Sequence, residues 1–250
     1  YGVGQGNVQV IVAEDYTDYD KMAATIVGSR AYDNGIPCTG EQAVHFPKEK
    51  YDEFVAAMKR AKAAMIPDDK VDELPKILFK ENGAIDAKHV GMKPVKLAAE
   101  MGFEVPEDTQ ILIFNNRGIS RENILCREKL CPVIQLFPYE SFEQAVADAK
   151  TNLLWEGAGH TSVIYTNDTE KAEYVGHELP VGRLVVNQAG GAASGGNYIN
   201  GLHPTMSLGC GSWGNNSISE NLTYKHLMNT TRLAYYHDCT MPELDEVWKL

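Results

Sequence analysis

The chain has 250 residues, 44% of them hydrophobic, enough for one large domain or two small ones to bury a core. Its 34 Asp and Glu outnumber 23 Lys and Arg, giving a formal charge of −11 and a surface that repels nucleic-acid backbones and anionic lipid. No apolar run reaches the length of a membrane span, and the five cysteines, with no secretory signal before them, read as reduced thiols in a cytoplasmic setting.

Residues 7–14, NVQVIVAE, read as a strand rich in Val and Ile. Residues 15–32 have the helical spacing of Met22, Ile26 and Val27, with Thr17 or Asp18 as N-cap. A loop, YDNGIPCTGEQ (32–42), follows. Residues 42–47 form a short strand, and 48–65 an amphipathic helix that stops before Pro67. Residues 68–80 and 92–102 look helical, whereas 109–116 and 131–139 look like strands. The helix over 141–157 opens with Ser141 and Gln144 in capping-box spacing and ends at a glycine. Residues 160–168 are a strand, 169–179 a helix and 182–188 a strand. The glycine-rich stretch 189–216 is too long for a mere connector and reads as functional. SISENLTYKHLMN (217–229) is then expected as a last helix and TRLAYYHD (231–238) as a last strand. Strands regularly separated by helices predict an α/β fold with a mostly parallel sheet.

YGVGQGN (1–7) holds three glycines, but they precede a strand and lack the spacing of a dinucleotide fingerprint, so a tight turn is expected there. Cys126 and Cys131 have no second pair or His cluster nearby, and no metal site is expected. The remaining chemistry gathers at Cys38. Its neighbours give it no periodic apolar face, Pro37 fixes the backbone before it, and Gly35 and Gly40 allow a ligand to approach closely. Pro37 has no N–H, which leaves the amides of Cys38 and Thr39 as local donors for an oxyanion. A thiol of ordinary pKa is only a few per cent ionised at pH 7, so a nucleophile here needs a base or a local dipole. On these residues alone, an inert packed thiol stays equally open.

YDNGIPCTGEQ resembles the nucleophile loop of the CoA-acylating aldehyde dehydrogenases. Four further stretches resemble that family in the same order: YGVGQGNVQVIV, REKLCPVIQLF (127–137), EGAGHTSVIYT (156–166) and PTMSLGCGSWGNNSISENLTYKHLMN (204–229). RLVVNQ and SISENLTY are most similar to its succinate-semialdehyde branch. The resemblance implies a three-layer, aldehyde-dehydrogenase-like catalytic domain over 1–230 and a C-terminal strand and tail, 231–250, that serves oligomerisation. It implies that Cys38 attacks an aldehyde, that hydride leaves to NAD or NADP, and that the resulting thioester passes to coenzyme A, reversibly. Glu128 matches the family glutamate that binds the nicotinamide ribose. His160 matches the histidine near the nucleophile, where it would poise the thiol or relay a proton, and Asn34 and Thr39 are candidate substrate contacts. YGVGQGNVQ has no carboxylate where hydrolytic relatives keep a base, so the thioester should last until a thiol arrives. Gln5, Pro37 and Gly40 depart from the usual pattern. The family's Rossmann-type cofactor domain would precede this stretch, and the expectation is a catalytic portion without it.

The implied substrate is a small aldehyde such as succinate semialdehyde or acetaldehyde. Residues 184–224 contain no Lys or Arg to meet a second carboxylate; Ser194, Asn197, Asn200 and His203 offer neutral donors. The implied partners are further copies of the chain, as a dimer or tetramer, and a bacterial microcompartment, with no nucleic acid and no membrane. Two other readings stand beside this one: a cysteine-dependent acyl hydrolase, and a catalytically silent assembly domain joined through 231–238.

Overall fold

Seven strands lie in one sheet: β1 (Val8–Val12), β2 (Glu41–Pro47), β3 (Ala63–Met65), β4 (Ile111–Asn115), β5 (Val133–Tyr139), β6 (Gly159–Tyr165) and β7 (Val181–Val186). Their spatial order is β3-β4-β5-β2-β1-β6-β7, and every neighbouring pair is parallel. The computed structural model describes residues 3–248; the first two residues of the expected glycine turn and the last two of the tail lie outside that range.

Burial on both faces explains the apolar runs of these strands. Val8, Val10 and Val12 of β1 meet α1 (Tyr19–Ala31) and α2 (Tyr51–Arg60) through Met22, Ile26, Phe54 and Met58. Ile11 faces the other way, onto α5 (Phe142–Trp155) and α6 (Thr169–Glu178). The result is three layers, helix on sheet on helix. A further cluster packs α3 (Leu74–Leu78) and α4 (Pro94–Glu100) against β4. The helix starts follow local chemistry. Asp18 accepts from the Lys21 amide and Ser141 from the Gln144 amide, each occupying an otherwise orphaned donor.

Three expected elements take another form. The helix expected over 48–65 ends at Arg60, because Lys62 turns left-handed at φ +73°, and Ala63–Met65 becomes β3 beside β4. Residues 217–229 form one 3₁₀ turn, Tyr224–Leu227, and a bridge between Leu208 and Asn221, not a helix. Residues 231–238 form no strand within the chain and stay exposed.

The topology decides where a site can form. The chain steps from β1 to β2 on one side and later to β6 on the other, so β1 is the switch strand. Because all strands run the same way, the loops entering β1, β2, β5, β6 and β7 arrive at one edge of the sheet. Open parallel sheets more often bind ligands at the carboxyl edge. Here Cys38, Glu128 and His160 all stand at the amino edge.

Candidate active site

Cys38 sits three residues before β2, half-buried, and His160 is the second residue of β6. They are 122 residues apart in sequence, yet His160 Nε2 lies 3.2 Å from Cys38 Sγ. The other ring nitrogen, Nδ1, lies 3.1 Å from Thr161 Oγ1. Burial pushes the thiol above its usual value of 9.0, and the nearby Glu128 carboxylate pushes it further the same way. Burial, helped by the Arg183 charge, pulls the imidazole down to about 4. The resting pair at neutral pH is accordingly thiol and neutral imidazole, with an acceptor nitrogen in reach of the S–H. Neither the Cys38 nor the Thr39 amide donates to a backbone carbonyl among the described residues, and the Cys38 amide faces its own sulfur, where an oxyanion would form.

The loop is held open by close backbone contact. Asp33, Asn34 and Gly35 are three consecutive left-handed residues, a conformation Asn and Gly tolerate. Asn34 thus serves the turn. A Cβ at Gly6 would lie 1.8 Å from the Cys38 carbonyl oxygen, so the strand entry abuts the nucleophile loop because position 6 has no side chain. Thr39 Oγ1 donates to the Gly191 carbonyl at 3.3 Å. Beside it opens a groove of about 780 Å³ lined by Tyr32, Pro37, Thr39, Ala192, Pro204 and Met206, among others, with no charged side chain. Ser194, Asn197, Asn200 and His203, expected as neutral donors, do not line it. Ser194 is fully buried and donates to Gly190, while Asn200 donates to Ala193.

Glu128 lies in the loop before β5, only 8% exposed. Burial, reinforced by Glu156, raises its carboxyl to about 7, against the pull of Arg30 and the Gly6 amide. One carboxyl oxygen, Oε1, has no hydrogen-bond partner. Glu128 itself borders a cleft lined also by Gln5, Gly83 and Leu130.

Two arginines escaped sequence reasoning. Arg30 on α1, fully buried, donates to the Gly40 and Cys131 carbonyls and to Gln42 Oε1. It staples the Cys38 loop to the Glu128 loop. Arg183, on β7, lies behind His160. Its sequence signal was available: a charge inside the apolar run GRLVVN has no reason to be there unless the fold uses it.

Against this geometry, comparison with known proteins is decisive. Residues 117–226 match the profile of the aldehyde dehydrogenase family, a span that holds Glu128, His160 and Arg183. The chain is 45% identical to the succinate-semialdehyde dehydrogenase (acetylating) of Clostridium kluyveri, over 99% of this chain and 54% of that protein. The chain is similar to the aldehyde dehydrogenase family over nearly its whole length. Within it, a sulfoacetaldehyde dehydrogenase from an Acholeplasma species is 32% identical over 99% of this chain and 52% of its own length. An acetylating aldehyde dehydrogenase from Geobacillus thermoglucosidasius superimposes with a TM-score of 0.89 at 32% identity, covering 97% of this chain and 53% of that one. The chain spans about half the length of the curated relatives it matches.

Proposed function

We propose that this chain carries the nucleophile and its proton acceptor for a CoA-acylating aldehyde dehydrogenase acting on a small aldehyde. The observation that carries the reading is the 3.2 Å contact of His160 Nε2 with Cys38 Sγ beside an uncharged groove. As the sulfur attacks the carbonyl carbon, its proton passes to His160. The Cys38 and Thr39 amides hold the new oxyanion. The nicotinamide supplies the hydride acceptor and coenzyme A the thiol that takes the acyl group. Loss of hydride from the thiohemiacetal leaves a thioester on Cys38, and attack by the incoming thiol frees Cys38 again. Glu128 Oε1 is the acceptor for a ribose hydroxyl. The groove's neutral lining favours an aldehyde that is short and uncharged near its reacting end, acetaldehyde or succinate semialdehyde, with sulfoacetaldehyde behind. Assembly as a homo-oligomer, and residence in a microcompartment, extend the same reading.

The reverse acyl step tests this without any nicotinamide. Incubated with acetyl-CoA or succinyl-CoA, the chain should release free coenzyme A and carry the acyl group on the Cys38 peptide. Cys38→Ala should carry none. An adduct on another residue, or none, would refute the proposal. The histidine beside the thiol also favours a second reading, an acyl hydrolase, because an activating base is what that chemistry requires. Rapid decay of the acyl-Cys38 adduct to free acid, with p-nitrophenyl ester turnover lost in Cys38→Ala, would select it.

A further inference from the structure

Resting on the reading of Cys38 as the nucleophile, we propose that Arg183 is a positioning residue whose fixed charge sets the pH at which the Cys38–His160 pair releases its proton. Arg183 is only 4% exposed. Its guanidinium donates to the carbonyl of His160 at 2.8 Å, to that of Gly159 at 3.3 Å, to Thr161 Oγ1 at 3.4 Å and to Asn221 Oδ1 at 3.4 Å. Thr161 Oγ1 in turn touches His160 Nδ1, so the clamp extends from the backbone on either side of the imidazole to the ring itself.

Among the described residues, no carboxylate lies within ion-pair distance of Arg183. A buried cation without an anion is expensive to keep. The groups facing it that can become negative are two thiols, Cys210 and Cys38. Glu128 approaches Cys38 from the loop before β5, where it disfavours the thiolate, and Cys210 does the same from the loop after Met206. Against these, Arg183 is the cation that favours it. The same charge disfavours a proton on His160. A positive charge facing both members lowers both proton affinities, so the coupled pair loses its protons at lower pH than it otherwise would.

The test is the pH dependence of Cys38 alkylation by iodoacetamide, resolved by peptide mass spectrometry for wild type, Arg183→Met and Arg183→Lys. Labelling of fully buried Cys131 in the same samples reports whether each variant is folded. Arg183→Met should move the midpoint about one pH unit upward, making alkylation about tenfold slower at pH 7. Arg183→Lys keeps the charge and should stay close to the wild-type midpoint. A merely structural arginine would lower the rate in both variants and leave the midpoint in place, which overturns the proposal. If Arg183→Met exposes Cys131, Arg183→Gln, which is neutral but keeps an N–H donor, replaces it, and the same alkaline shift is required. Failure of the nucleophile reading shows separately, as wild-type Cys38 staying unlabelled across the whole pH range while exposed Cys239 is labelled.

Discussion

Replacing His160 with alanine isolates the proton acceptor. Burial and Glu128 hold the Cys38 thiol above 9.0, so less than about 1% is thiolate at pH 7 without help. The imidazole sits near pKa 4, neutral at pH 7 and 3.2 Å from the sulfur, so it accepts the proton as attack proceeds. A positioned base contributes roughly 10²–10⁴-fold, and one this weak belongs at the low end, about 10²-fold or ~2.7 kcal/mol. His160→Ala should therefore slow acyl transfer from acetyl-CoA to Cys38 about a hundredfold at pH 7. The deficit should shrink steadily above pH 9, where thiolate forms unaided. Stopped-flow release of coenzyme A from pH 6 to 10 measures both. Equal rates at pH 7, or a deficit constant across the range, would refute base assistance by this residue.

Glu128→Gln removes the anion opposing the Cys38 thiolate, so alkylation should quicken several-fold above pH 7; below pH 6, where the native carboxyl is itself protonated, the gain should vanish. Gly6→Ala places a methyl group 1.8 Å from the Cys38 carbonyl oxygen and should abolish acyl transfer from acetyl-CoA to Cys38 while far-ultraviolet circular dichroism stays native; unchanged transfer would mean the loop can retreat. His45 is fully buried, stacked on Phe137 at 4.7 Å and joined to Gln9, and burial holds its pKa at about 3. Its depressed pKa means the unfolded chain binds the extra proton below about 6.5, so the stability tied to the neutral ring is complete above that pH and lost as pH falls. Urea denaturation at pH 7.5 and 5 should show His45→Gln losing about 2 kcal/mol less than wild type between the two, and equal losses would contradict it.

The strands that repeat β-branched residues, β1, β6 and β7, were legible because burial on both faces writes a continuous apolar run into the sequence. Helix α5 was legible because Ser141 caps it. β3 was not: Ala63, Ala64 and Met65 are helix formers, and pairing with β4 overrides their preference. The strand expected at 231–238 failed for the converse reason, since β-propensity describes a fit to a neighbouring strand and these residues pair with none within the chain. At the site, Cys38 could be picked out by its loop and Glu128 and His160 only through resemblance. Their meeting depends on register between β1, β2 and β6, which no local pattern encodes.

The same dependence explains why so much charge is buried at this edge. The loops that enter these parallel strands have no regular ladder of their own to fix where they lie. Arg30 bridges two of them through carbonyls, and Arg183 clamps a third. Lys129, fully buried and pulled by burial to about 8, closes the Glu128 loop on the carbonyls of Leu125 and Arg127. Each cation costs desolvation that an apolar residue would not. In return, donors in fixed directions set loop positions to within a hydrogen bond's tolerance, which a thiol and an imidazole 3.2 Å apart require. Apolar packing, being non-directional, would fill the same volume and leave that distance free to drift.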